Sequence, residues 1–271
     1  MVQTGALLMP VEIALEPITL FLSIISGITV GFSLGLVGGG GSVLAVPLLL
    51  YVVGVKDTHV AIGTSALAIG IIAVFNIFYR RKTGTLQIKK GLLFALPGIG
   101  GTLLGSQLGL WTPPENLLVI FAVFMGVIGI IMIKYKITHI EISNEKHGLI
   151  SLKKNLPLSG FSVGMLSGYF GIGGGFLIVP TMMYSGGLNI LQAIGTSLVS
   201  VSSFGLVTAG RYFVAGNIEL VIALLFIIGG ILGGYFGIKI SKKIPQDKIT
   251  KIFSVLLFII ASYIVVNTIL V

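Results

Sequence analysis

The sequence Gly38-Gly39-Gly40-Gly41-Ser42, followed by Val43-Leu44-Ala45-Val46-Pro47, interrupts a long apolar run near the start of the chain. A second copy, Gly171-Ile172-Gly173-Gly174-Gly175 followed by Phe176-Leu177-Ile178-Val179-Pro180, interrupts an apolar run in the second half. Consecutive glycines disfavour a helix, because glycine loses more conformational entropy there than any other residue. The helix that restarts after the glycines exposes N–H groups and the positive end of its dipole. The two stretches therefore predict a pair of broken helices.

The composition excludes a soluble domain. Of the 271 residues, 55% are hydrophobic and only 9% are charged, whereas soluble domains carry about 25% charged residues. With a mean hydropathy of +1.10, the chain is expected to be an all-α polytopic membrane protein. The net charge of +9 is explained by Lys and Arg retained in cytoplasmic loops, so no nucleic-acid partner is expected. An enzyme would need clustered His, Asp, Glu or Cys at membrane depth, so neither catalysis, a metal nor a cofactor is expected.

The second half repeats the first at an offset of 132 to 133 residues. Pro47 aligns with Pro180, and Ile-Gly-Thr-Ser at 62–65 aligns with Ile-Gly-Thr-Ser at 194–197. The expected organisation is an N-terminal tail at residues 1–17, a first membrane repeat at 18–137, a cytoplasmic linker at 138–155 and a second membrane repeat at 156–271.

The basic residues do not follow the repeat. Three segments, near residues 80–90, 134–154 and 239–251, hold 15 of the 17 Lys and Arg residues. Since basic loops stay in the cytoplasm, aligned loops are expected on opposite sides, which predicts inverted-topology repeats with both termini outside. Each repeat then has a glycine-broken helix pair plus three further spans, about 8–10 transmembrane segments in total. Five crossings per half, or three crossings plus a hairpin that returns to its own side, both satisfy the charge pattern.

The broken helices are the candidate substrate site. Two helix N-termini directed at the membrane midplane would bind a small anion through backbone N–H groups, without a charged side chain. The Ile-Gly-Thr-Ser copies add hydroxyl groups on the helix after each break. The candidate substrate-binding residues are Gly38, Gly39, Gly40, Gly41, Ser42, Thr64, Ser65, Gly171, Gly173, Gly174, Gly175, Thr196 and Ser197. Arg211 is the candidate outer guide for anions.

Other glycines, amides and cations are expected to have structural roles. Small-residue stripes let helices approach closely in lipid. Such stripes occur at Gly27, Gly31, Gly35 and Gly39, at Gly101, Gly105 and Gly109, at Gly160, Gly164 and Gly168, and at Gly229, Gly233 and Gly237. Asn76, Gln107 and Asn267 lie within apolar spans and are expected to form interhelical hydrogen bonds. The basic residues near 80–90, including Arg80 and Lys90, are expected in a cytoplasmic loop.

At the two glycine breaks with their prolines, and at the two Ile-Gly-Thr-Ser motifs, the chain resembles the sulfite exporter TauE/SafE family of membrane permeases. The resemblance extends over about residues 18–268. It implies transport of sulfite, sulfoacetate or other small organosulfur or carboxylate anions across the cytoplasmic membrane of a bacterium or archaeon. The family name implies export, and the residues themselves leave the direction open.

The expected function is therefore secondary transport of a small sulfur-containing anion by alternating access, with the anion bound at the broken-helix N-termini. A passive small-anion channel and a carboxylate permease are the alternatives. The expected partners are the anionic substrate and the lipid bilayer, and association into a homo-oligomer is left open.

Overall fold

The computed structural model describes residues 16–81, 84–134, 155–171 and 175–241. No strand occurs in these ranges, so the prediction of an all-α membrane protein is confirmed. A 3-10 helix (Gly38–Leu44) and a π-helix (Leu48–Val53) flank the short α2. The α-helices are α1 (Pro17–Val37), α2 (Ala45–Pro47), α3 (Thr58–Arg81), α4 (Ile88–Trp111), α5 (Pro114–Lys134), α6 (Leu156–Phe170), α7 (Gly175–Gly186), α8 (Ile190–Val214) and α9 (Leu220–Ser241). The predicted site residues Gly173 and Gly174, most of the predicted linker, Asn267 and the basic segment beyond residue 241 lie outside the described residues.

Five helical stretches of the described residues are long and apolar enough to cross a membrane. They are Pro17–Val53, Thr58–Arg81, Ile88–Trp111, Ile190–Val214 and Leu220–Ser241. The first is a run of 37 residues that includes the glycine break. Trp111, at the end of α4, is 73% exposed, as suits an aromatic side chain at a membrane interface. The chain is a multi-pass membrane protein.

Equivalent polar caps begin α3 and α8. Asp57 Oδ1 accepts hydrogen bonds from the N–H groups of His59 and Val60, at 2.7 and 3.2 Å. At the aligned position, Asn189 Oδ1 accepts from the N–H group of Gln192 at 2.9 Å. The first N–H groups of a helix have no partner within it, so these side chains satisfy groups that lipid could not. Both halves therefore fix the start of this helix in the same way.

Two glycine seams join helices of different halves. A Cβ atom at Gly31 of α1 would overlap the carbonyl oxygen of Gly230 on α9, and a Cβ at Gly164 of α6 would overlap that of Gly98 on α4. The predicted packing role of the stripes is confirmed for these helix pairs, although Gly39 lies beyond the end of α1, in the break. The glycines and the residues whose carbonyl oxygens they face are Gly27 and Phe226, Gly31 and Gly230, Gly35 and Gly234, then Gly101 and Phe161, Gly105 and Met165, Gly109 and Tyr169. Because both series advance in the same order, α1 runs parallel to α9, and α4 runs parallel to α6.

Equivalent helices of the two halves run in opposite directions. Gly63, near the start of α3, lies against Tyr212 near the end of α8, whereas Gly70 farther along α3 lies against Leu206. The start of α9 lies beside the start of α3, and the start of α4 lies beside the start of α8. Because α1 runs parallel to α9, and α6 runs parallel to α4, the first helices of the two halves, α1 and α6, also run in opposite directions. This is the arrangement that inverted repeats require, and the side of the membrane that each end faces stays a prediction.

The backbone repeats as the sequence does. Six glycines of the described residues have positive φ, and they form three pairs at the repeat offset. The pairs are Gly38 and Gly171 (70° and 64°), Gly54 and Gly187 (87° and 59°), and Gly84 and Gly216 (68° and 77°). Each pair marks the same turn in both halves.

The first break is a reversal of the chain. Helix α1 ends at Val37 because Gly38 takes φ 70° and ψ −142°, which no helix accommodates. Gly41 then lies directly beside Ser33 and Leu34 of α1, so the chain turns back along the helix it has just left. The predicted break is confirmed. After the break the chain forms 3-10 and π-helical turns instead of one restarted α-helix, because Pro47 has no N–H group to donate to the preceding turn.

The basic segment near residues 80–90 is only partly a loop. Arg80 and Arg81 form the last turn of α3, and Lys89 and Lys90 lie in the first turn of α4. Arg80 is 3% exposed, so the expectation of a solvated loop cation is wrong for this residue. Lys90 Nζ donates a hydrogen bond of 2.8 Å to the carbonyl oxygen of Gly186 at the end of α7, where a cation also suits the helix dipole.

Candidate functional site

Each break contacts the Ile-Gly-Thr-Ser motif of the other half. A Cβ atom at Gly38 would lie 2.6 Å from the carbonyl oxygen of Ile194 and 2.8 Å from Ser197 Oγ. At the equivalent place, a Cβ at Gly171 would overlap the side chain of Ile62 and lie 3.2 Å from its carbonyl oxygen. Only glycine fits both requirements, a positive φ and a neighbouring backbone this close. The 3-10 turn Gly38–Leu44 also packs against α7, which follows the second break. Gly38 lies beside the start of α8 and Gly171 beside the start of α3, and because α3 and α8 run in opposite directions these two glycines lie toward opposite ends of the helix bundle.

The N–H group of Gly39 is held by the opposite half. It donates a hydrogen bond of 3.1 Å to Ser197 Oγ, which itself donates to the carbonyl oxygen of Ile194 at 2.9 Å. Ser42 Oγ donates to the carbonyl oxygen of Gly39 at 2.7 Å, which closes the 3-10 turn. Ser197 and Ser42 are both fully buried. The hydroxyl of Ser197 thus positions the break in this structure.

The two motif threonines form a reciprocal pair of hydrogen bonds. Thr64 Oγ1 accepts from the N–H group of Glu219, at the start of α9, and Thr196 Oγ1 accepts from the N–H group of Gln87, at the start of α4. Both distances are 3.0 Å. Each threonine therefore caps a helix of the opposite half, which is a structural role that the sequence left open beside substrate contact.

The structure places the described site residues in two buried groups, residues 38–42 with Thr196 and Ser197 near the start of α8, and Gly171 with Thr64 and Ser65 near the start of α3. Residues 38–42, Thr64, Ser65, Thr196 and Ser197 are all buried, and Gly171 is buried at the end of α6. Gly175 begins α7. Ser65 Oγ donates to the carbonyl oxygen of Ile62 at 2.9 Å, which matches the bond of Ser197. Contact of these groups with a substrate stays a prediction.

A family model agrees with this architecture. The model of the sulfite exporter TauE/SafE family matches residues 23–264, which includes both breaks and both Ile-Gly-Thr-Ser motifs. The chain belongs to the TauE/SafE family. The resemblance inferred from the sequence motifs is thereby confirmed.

Named relatives of this TauE/SafE chain are described as transporters. A "Probable membrane transporter protein" of Xylella fastidiosa (strain Temecula1) is 38% identical over 251 residues, covering 91% of this chain and 95% of the relative. The "Probable membrane transporter protein YunE" of Bacillus subtilis is 29% identical over 265 residues, covering 90% and 94%. A protein of Methanocaldococcus jannaschii with the same description is 27% identical over 249 residues, covering 87% and 91%. No solved structure matches the chain. The relatives support a membrane transporter and specify no substrate.

Arg80 is the residue of this TauE/SafE chain that sequence reasoning missed. Its Nη2 donates a hydrogen bond of 2.6 Å to the carbonyl oxygen of Gly35, one turn before the first break. Carbonyl groups in the last turn of a helix lack partners within it, and Arg80 satisfies one of them. The spacing of the sequence could have predicted the burial of Arg80, because Arg80 lies on the same face of α3 as the buried residues Ile62, Ile69 and Asn76.

The other end of α3 holds a second polar group of the TauE/SafE chain. His59 Nε2 lies 3.2 Å from the carbonyl oxygen of Gly109 and 3.1 Å from that of Thr112, and Thr112 Oγ1 lies 3.1 Å from Tyr169 Oη.

Arg211, the candidate anion guide, lies half-buried in the last turn of α8. Its Nε has no hydrogen-bond partner among the described residues. Guidance of anions by Arg211 stays a prediction.

Proposed function

We propose that this protein is a secondary transporter of a small oxyanion, sulfite or a related sulfur-containing anion, and that it moves the anion unchanged by alternating access. The family and the names of the relatives support transport, and the glycine breaks support an anion as the cargo. Export, the direction that the family name implies, is retained in this proposal. In this proposal the protein lies in the cytoplasmic membrane of a bacterium or archaeon, with both termini outside.

The observation that carries the proposal is the reciprocal contact of the breaks. Each break reaches the Ile-Gly-Thr-Ser motif of the other half, and the first also packs against the helix that follows the second. Backbone N–H groups at the start of a helix bind anions without any charged side chain. An anion bound at either break would therefore contact both halves, which is the position an alternating-access site needs.

The helix seams suggest which bodies move. Helix α1 is joined to α9, and α4 to α6, by carbonyl contacts so close that a Cβ atom would overlap them. Each pair combines one helix from each half. We therefore expect α1 with α9 to move against α4 with α6, while α3 and α8 lie between them and present the two motifs. Motion of one sequence half as a block would have to separate both seams.

Flux measurements test the proposal. Purified protein in liposomes should move radiolabelled sulfite down its gradient, saturate with concentration, and be inhibited by thiosulfate or a small sulfonate. Inhibition by carboxylates alone would favour the carboxylate permease. A conductance far above carrier turnover would favour a passive channel. If the protein moves none of these anions, and none raises its melting temperature in detergent, the proposal is wrong.

Single cysteines test the proposed orientation. The chain has no cysteine of its own. Leu86 and Ile218 occupy equivalent, half-exposed places before α4 and α9. In cells, Leu86→Cys should be shielded from a membrane-impermeant maleimide, whereas Ile218→Cys should react. Labelling of both from one side would contradict the inverted repeats while leaving anion transport intact.

A further inference from the structure

Two buried polar side chains occupy equivalent places without any hydrogen-bond partner among the described residues. Asn76 on α3 is fully buried, and both its amide nitrogen and its amide oxygen are unpaired. Thr208 on α8 is 1% exposed, and its Oγ1 is unpaired. The interhelical hydrogen bond expected for Asn76 is therefore not formed with any residue that the structure describes. Buried polar groups are nearly always paired, so two unpaired ones at one repeat position require an explanation.

Asn76 lies beside the first break. Arg80 follows it by one helical turn on the same face of α3 and donates to the carbonyl oxygen of Gly35, one turn before Gly38. The amide of Asn76 faces α9, where a Cβ at Gly234 would lie 2.9 Å from Nδ2. The amide thus lies where α1, α3 and α9 meet, next to a buried cation and next to the end of the helix that leads into the break.

Thr208 lies beside the second break in the same manner. Tyr212 follows it by one turn, is fully buried, and its Oη has no partner among the described residues. A Cβ at Gly109 would lie 2.9 Å from that Oη and 2.8 Å from the carbonyl oxygen of Tyr169, which is two residues before Gly171. Tyr212 therefore lies beside the end of α6, as Arg80 lies beside the end of α1. Since α3 and α8 run oppositely, the two places lie toward opposite ends of the helix bundle.

We propose that Asn76 and Thr208 each bind the transported oxyanion transiently, at two stations, one beside each break. The inference rests on the proposed function. The amide N–H groups of Asn76 and the hydroxyl of Thr208 would donate to anion oxygens as the anion passes each break. The first station lies beside the guanidinium of Arg80, and the second beside the phenol of Tyr212. The donor at each station is unpaired in this structure because its hydrogen-bond partner is the anion during transport.

The alternative is that both side chains only fill space, and stability separates the two explanations. Removing a buried polar group that has no partner should leave the protein as stable as before, or more stable. A packing role then predicts unchanged transport as well. A binding role predicts that transport falls while stability does not.

The experiment compares Asn76→Leu and Thr208→Val with wild type in liposomes, using radiolabelled sulfite, and measures melting temperature without anion in detergent. We expect the KM for sulfite to rise about tenfold in each, the usual effect of losing a hydrogen bond to a charged ligand, with an unchanged or higher melting temperature. The matched control is Ser23→Ala, which removes a buried hydroxyl already bonded to the carbonyl oxygen of Thr19 and should leave KM unchanged. Asn76→Thr and Thr208→Ser keep a donor, and should stay within about threefold of wild type.

Wild-type KM in Asn76→Leu and Thr208→Val would overturn the stations and leave the proposed transporter standing. An equal loss in Asn76→Thr and Asn76→Leu would also overturn them, because the donor would then be irrelevant. Absence of sulfite flux in wild type would instead overturn the proposed function itself. If Asn76→Leu does not fold, the same comparison between Thr208→Val and Thr208→Ser decides the matter at the second station.

Discussion

Arg80 near the end of α3 and Tyr212 near the end of α8 occupy equivalent places, 132 residues apart, yet one is a cation and the other a phenol. Around them the halves agree closely: the caps of α3 and α8 are equivalent, and the threonine bonds to α9 and α4 and the contacts of Gly38 and Gly171 are reciprocal. The scaffold is therefore repeated, whereas the charge beside it is not. An anion that passes from one end of the bundle to the other would therefore meet a buried guanidinium beside the end of α1 and a buried phenol at the equivalent place beside the end of α6.

The largest test of the repeated scaffold is at the breaks. Gly38→Ala and Gly171→Ala should each abolish transport and cost about 3 kcal/mol of stability, through the positive φ and the overlap with the opposite motif. Unfolding in detergent, titrated with sodium dodecyl sulfate, measures the loss. The matched control is Gly54→Ala. Gly54 has φ 87°, but no atom lies within 4 Å of where its Cβ would be, so this variant should cost only about 1–2 kcal/mol. Equal costs at Gly38 and Gly54 would mean that the contact between the halves adds nothing.

The two glycine seams should be equivalent. Gly31→Ala and Gly164→Ala should each cost about 2–3 kcal/mol, because each pushes two parallel helices apart at a carbonyl contact. Gly210 lies within α8 with nothing within 4 Å of a built Cβ, so Gly210→Ala should raise stability by about 0.5–1 kcal/mol. If one seam tolerated alanine and the other did not, the two seams would not be equivalent and the comparison would fail at this level.

Where the halves differ, their variants should differ. Arg80→Met removes the bond to the carbonyl oxygen of Gly35 and should cost about 2 kcal/mol. Tyr212→Phe removes a hydroxyl that has no partner among the described residues and should change stability by less than about 0.5 kcal/mol. Both are measured by the same titration. Similar losses of stability in the two variants would show that Arg80 and Tyr212 stabilise the fold equally despite their different chemistry.

The smallest effect is expected at the motif threonines. Thr64→Val and Thr196→Val each leave one helix-starting N–H group without its acceptor, at a cost of about 1 kcal/mol. The two sites share no partner, so the double variant should cost the sum to within about 0.5 kcal/mol. A large coupling between them would sharpen the comparison, because it would show that the two breaks respond as one unit.

Much of this arrangement could be predicted from the sequence because it depends on composition and spacing. Residues 38–42 stop a helix whatever surrounds them, and glycines every four residues produce a seam on any helix. The partner of each seam was not predictable, since nothing in the stripe at Gly27 and Gly31 distinguishes α9 from α4. Arg80 was misplaced because counting basic residues ignores which helix face each occupies. Asn76 was expected to have a partner because buried amides generally do.

The seam between α1 and α9 has a consequence for the synthesis of the protein. About three quarters of the chain separates Gly31 from Gly230, so α1 is synthesised long before its packing partner α9. Until then its row of bare glycine backbone faces lipid or a biogenesis factor, and contacts this distant in sequence form slowly. The same applies in shorter form to α4 and α6. Chains that end before α9 should therefore insert and then be degraded, since α1 packs into the fold only once α9 has been made.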